Sequence, residues 1–141
     1  MLADLSERGN MIEECYEFML AYAAQGLPSE GGRASGGQIR EFLASAVRAI
    51  SGISESCAIA VKQERLEPAE RYQAFFAVIA RDAQSSLAAL ELVLAQSNIS
   101  SQLIDNLNSS IHLRALLTDL FLLSEIVKTQ SIPTRPMASE G

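Results

Sequence analysis

The sequence predicts an all-α fold, an up-down-up-down four-helix bundle with long antiparallel helices. Three observations carry this. Apolar residues recur at helical spacing through four segments, each of roughly 25–30 residues and so about 40 Å long as a helix. Ala, Leu and Ser fill the chain while Trp is absent and aromatics reach only 6%, a composition that suits helices better than sheets. The segments are separated by short connections that carry helix stop and start signals. No alternating strand pattern competes, and there is no internal repeat.

The first helix runs over residues 2–25, with Leu5, Ile12, Cys15, Met19 and Tyr22 at helical spacing. Gly26 and Pro28 stop it. Asn10 and Glu13 have the shape of a capping box, which would start the helix at residue 11, after a short separate turn. A continuous helix is the preferred reading. A Gly-rich loop follows over residues 28–37. Ser35 and Gln38 make a second capping-box pattern, so the second helix starts near Gly36. Its seam is Ile39, Leu43, Ala46, Ile50, Ile53, Cys57 and Ala60, with alternating steps of four and three that suit a left-handed bundle. Gly52 interrupts this helix at about 1 kcal/mol relative to Ala, and marks a bend or a close helix crossing.

The second helix fades over residues 62–64. Pro68 fits the first position of the third, whose inward residues are Tyr72, Phe76, Ile79, Ala83, Leu87, Leu90 and Leu94. Ser97 and Asn98 make a very short link, so the third and fourth helices are antiparallel neighbours. The fourth covers residues 100–130 and is apolar on two sides. Leu113, Leu116, Leu117, Leu120, Leu123 and Val127 form the arc facing the interior. Ile104, Ile111, Ala115, Leu122 and Ile126 form a second seam on the other side. A helix apolar on two sides is usually buried on two sides, so this seam predicts an interface with another protein, first of all a second copy. Residues 132–141 contain two prolines and no periodicity, and read as a mobile C-terminal tail after a single domain over residues 1–131.

A chain of 141 residues buries most of its apolar surface without disulfides or a structural metal. The net charge of −6 comes without any Lys/Arg cluster, which argues against binding nucleic acid or an anionic membrane surface. Cys15 and Cys57 make no disulfide framework. The N-terminus lacks the pattern of a signal peptide, and Arg114, Asp119 and Glu125 break the longest apolar stretch. A cytoplasmic location is the expectation.

Candidate chemistry is sparse. Gly31, Gly32, Gly36 and Gly37 precede a helix start, but the Lys and the preceding strand of a phosphate-binding loop are missing, so the loop reads as a linker. A di-iron bundle needs two Glu-x-x-His motifs. The only histidine is His112, with Ser109 three residues before it, and Glu13, Glu14, Glu17, Glu55, Glu91 and Glu125 sit mostly off the inward stripes. His112 reads as a boundary residue. Both cysteines fall on core positions and read as small hydrophobes. Asp105, Asn106, Asn108, Ser109 and Ser110 interrupt the last helix with weak helix formers. They read either as a polar cluster against a neighbour or as a solvated face. Catalysis would require polar groups from separate helices to converge around Arg114, His112 and Asp119. No catalytic residue, cofactor or metal is expected.

The leading functional expectation is a non-enzymatic interaction module, homodimeric through the fourth helix: a small adaptor, assembly factor or regulator. The alternative is a small-molecule-binding or sensor bundle. Its pocket would be lined by Tyr16, Phe18, Tyr22, Phe42, Tyr72, Phe75, Phe76 and Phe121.

Overall fold

A computed structural model describes residues 2–31, 34–63 and 65–131. The described residues form six helices and no strand: α1 (Leu2–Ala24), α2 (Ala34–Ser51), α3 (Ile53–Gln63), α4 (Ala69–Leu94), α5 (Ser101–Ser109) and α6 (His112–Ser131). The all-α expectation holds. Six helices stand where four were expected because two of the expected rods are each broken once.

The first helix is continuous through Gly9 and Asn10. It stops where Gly26 takes a φ of +67°, a left-handed turn that glycine adopts without steric cost. α2 begins at Ala34, so Ser35 and Gly36 lie inside its first turn and not ahead of it. Gly32 and the expected tail at residues 132–141 lie outside the described residues. Pro68 sits one position earlier than expected, as the N-cap of α4. The link from α4 to α5 spans residues 95–100, and Ser100 caps α5 by accepting a hydrogen bond from the Leu103 N–H.

Each break has a local cause. At Gly52 the Arg8 side chain from α1 occupies the space a Cβ would fill. Its Nη1 donates to the Ala49 carbonyl at 2.9 Å and to the Arg48 carbonyl at 3.4 Å, serving the exposed C-terminal carbonyls of α2. Asp4 holds Arg8 in turn at 2.9 Å and also accepts from the Ser56 hydroxyl on α3. These bonds hold the Asp4 carboxyl below its ordinary value, Ser56 contributing most and Arg8 next. The second break lies between α5 and α6, at Ile111.

α1 packs against α2 and α3 on one side and α5 and α6 on the other, and α4 packs against the same four. All seven seam residues of the second rod, from Ile39 to Ala60, are buried. So are Tyr72, Phe76, Ile79, Ala83 and Leu90 of α4, whereas Leu87 and Leu94 are only half-buried and Ser86 and Val93 take the inner places. At one end the two long loops are tied together. Arg40 grips the Glu30 carboxylate at 2.5 and 3.1 Å and donates to the Leu94 and Gln96 carbonyls. Glu30 accepts from the Ile99 N–H. The Tyr22 hydroxyl donates to the Ile99 carbonyl, and the Ser101 hydroxyl to the Tyr22 carbonyl. Every one of these groups ends on backbone, so the cluster fastens loops and leaves little free for a ligand.

Candidate functional site

The outward face of the last rod is built by its break. Asp105, Asn106, Asn108, Ser109 and Ser110 are weak helix formers whose short side chains compete for backbone groups. The Ser109 hydroxyl donates to the Asp105 carbonyl at 3.0 Å and the Ser110 hydroxyl to the Leu107 carbonyl at 2.6 Å. α5 ends there, and Ile111 turns the chain at a φ of 61°. Its carbonyl accepts the Ala115 N–H at 2.8 Å, which opens α6. The polar stretch is therefore a helix break, a third outcome beside a packed polar cluster or a solvated face.

The break changes the helical phase, and this corrects the second seam. Ile104, expected on the outward strip, is 0% exposed and belongs to the core. Had the rod been one helix, Ile104 and Ile111 would share a stripe. Ile111 is instead 59% exposed, with Leu122 at 49% and Ile126 at 39%. Ala115 is half-buried. The opposite arc is as expected: Leu113, Leu116, Leu117, Leu120 and Leu123 are buried and Val127 packs partly against them.

The face has relief. Ile111, Arg114, Ala115, Thr118 and Asp119 line a shallow hollow of about 320 Å³. Further along, Leu122 and Ile126 stand beside Pro68, Arg71 and Phe75 of the α4 start, around a groove of about 290 Å³ that is almost wholly apolar. Phe121 points away from both, into a cleft of about 300 Å³ between α6 and the start of α1, where Leu2, Ser6 and Gly9 line the other wall.

Asp119 is the electrostatic anomaly here. It is half-buried against α4, and its Oδ2 is buried without a hydrogen-bond partner. Burial first, and the neighbouring Asp82 carboxyl second, push its pKa up to about 7. Arg114 shares the hollow with Asp119, whereas His112 is exposed and does not line it. Among the described residues, no three of His, Cys, Asp and Glu gather to hold a metal ion. Glu14, Glu17, Glu55, Glu91 and Glu125 are exposed and Glu13 is half-buried.

Cys15 and Cys57 are buried and unpaired by disulfide, with thiols pushed up by burial to about 12 and about 11. The cause is desolvation and not the nearby glutamates. Neither is poised as a nucleophile. The aromatic side chains do not line one pocket: Tyr22, Tyr72 and Phe76 are buried in the core, Tyr16, Phe18, Phe42 and Phe75 pack half-buried against it, and Phe121 is exposed, with Phe18 stacked on Phe42 at 4.4 Å between centroids and Tyr22 beside Phe18 at 6.3 Å.

Sequence reasoning missed the contacts of Arg8 with Gly52, of Glu30 with Arg40, and of Asp82 with Asp119. Arg8 and Gly52, like Asp82 and Asp119, lie far apart in the chain, and Glu30 and Arg40 lie ten residues apart on different elements, so no helical spacing announces these contacts. One segment, Gly37–Gln63, is long and apolar enough to cross a membrane by length and composition. Its apolar seam is the core seam of α2 and α3, and core helices satisfy the same criterion. No protein-family model, curated protein or solved structure matches this chain.

Proposed function

We propose that this chain is a non-enzymatic protein–protein interaction module, a small cytoplasmic adaptor, assembly factor or regulator that works as a homodimer joined through α6. The six helices act as four rods in up-down-up-down order, with α2 and α3 as one rod and α5 and α6 as another. The packing of α1 and α4 each against both broken rods supports that arrangement. Two free buried cysteines suit a reducing compartment.

The observation that carries the functional reading is the outward face of α6. Its inner arc already fills the core, yet Leu122 and Ile126 stay exposed on α6 beside an apolar groove, and Ile111, just before the helix, stays exposed in the hollow it shares with Ala115. Clustered exposed side chains of this size mark binding surfaces, whereas single ones do not. The residues expected at the interface thus reduce to Ile111, Ala115, Leu122 and Ile126.

Light scattering after size exclusion tests the reading. The expected mass is twice the 15.2 kDa of one chain. Leu122→Glu with Ile126→Glu should return the mass to that of a monomer while the helical circular dichroism stays unchanged, because both side chains are exposed in the single chain. A wild-type monomer at high protein concentration would remove self-association.

A further inference from the structure

We infer that two copies pair through α6 in antiparallel orientation, the exposed Leu122 and Ile126 of each seating in the hollow beside Ile111, Ala115 and Thr118 of the other. This rests on reading α6 as a self-association face, and adds its geometry. The argument starts from shape. The hollow is lined by the small side chains Ala115 and Thr118 together with Ile111, Arg114 and Asp119, while one to two turns further along the same face stand two large apolar ones, Leu122 and Ile126. A closed dimer uses the same patch twice, so the patch must be complementary to itself. Parallel pairing sets large on large and hollow on hollow. Antiparallel pairing sets each Leu122 on the small Ala115 of the other copy as a knob into a hole, with Thr118 beside the two-fold axis and Ile126 against Ile111 as an apolar contact at either end.

Charge points the same way. Arg114 and Glu125 are both exposed and flank this face. Antiparallel pairing brings Arg114 of one copy alongside Glu125 of the other, and does so twice. Parallel pairing sets these flanks on opposite sides of the seam and joins neither pair. The opposite-charge contacts are thus gained only in the antiparallel orientation. The present partner of Glu125 is Lys128 at 3.8 Å, an exposed pair held loosely enough to exchange. Opposed helix dipoles add in the same direction. Shape and charge thus select one orientation independently.

Single-cysteine variants treated with a short bismaleimide test this. Cys15 and Cys57 are buried and stay out of the reaction while the chain is folded. Thr118→Cys should cross-link to itself. Glu125→Cys alone should not, yet it should cross-link when mixed with Arg114→Cys, on the order of tenfold faster than alone, because pairing raises the local concentration. All three positions are exposed, and unchanged melting of each variant confirms its fold. If Glu125→Cys links to itself as fast as Thr118→Cys while light scattering still reports a dimer, the orientation is wrong and self-association survives. A wild-type monomer overturns both.

Discussion

Gly52 is a position where the absence of one methyl group decides how three helices meet. Alanine there would gain about 1 kcal/mol of intrinsic helix preference. Its Cβ, however, would fall on the Arg8 guanidinium. Arg8 would have to leave the carbonyls it serves and loosen its hold on Asp4. Gly52→Ala is therefore expected to destabilise the fold by about 1 kcal/mol net, the scale of a lost charge-assisted hydrogen bond less the helix gain. In an Arg8→Ala background the same change should be neutral or stabilising. Urea unfolding of the four proteins checks this, and additive effects would refute the coupling. Asp119 gives a pH signature. Its carboxyl is raised in the fold from 3.8 to about 7, so its contribution is fully present below the unfolded value and is lost as pH rises through about 7. Asp4 and Glu30 are lowered in the fold, so theirs is present above their ordinary values and is lost on acidification. Stability should peak at about pH 4–5, decline up to about pH 7 and level off above it. Asp119→Asn should raise the melting temperature on the alkaline side and flatten that decline. An alkaline limb that keeps its slope in the variant would assign the effect elsewhere.

At the scale of the element, the two breaks do different work. Gly52 separates α2 from α3 while leaving their seam in register, since residues from Ile39 to Ala60 stay buried on both sides of it. The break at Ile111 shifts phase and moves Ile104 from the expected outer strip into the core. A β-branched residue at a φ of 61° stores about 1–2 kcal/mol of backbone strain. Ile111 is also the most exposed member of the α6 face, so glycine there would lose little within one chain. Ile111→Gly is expected to stabilise the monomer by about 1 kcal/mol while weakening self-association. Urea melts at low protein concentration and sedimentation at high concentration should therefore move in opposite directions. A lowered urea midpoint would count against strain at this residue. Weak helix formers among residues 105–110 were the visible sign of the break, but composition alone left open whether they were packed, solvated or unwound.

For the whole molecule, coupling between folding and pairing is the expected signature. A dimer that forms only from folded chains makes the melting temperature rise with protein concentration. The wild type should show that dependence, and the Leu122→Glu/Ile126→Glu double variant should lose it. A dependence that persists in the double variant would place the contact on another face. The cleft between α1 and α6, at the other flank of Phe121, is the surface to probe in that event.

The sequence by itself determined the helical class, most of the inward residues and the place of the three connections between rods, because these follow from local periodicity and from Gly, Pro and Ser signals within a few residues. The seam from Ile39 to Ala60 and the arc from Leu113 to Leu123 were readable for that reason. Gly52 was readable as an irregularity, though not as the seat of Arg8. Tertiary structure alone decided the partners of charged residues, since Arg8 meets Gly52, Glu30 meets the Ile99 amide and Asp119 meets Asp82 only after the rods pack. It also decided the outer face of the last rod. A wheel assumes one continuous helix, and a single left-handed residue at Ile111 resets the angle of everything before it relative to everything after.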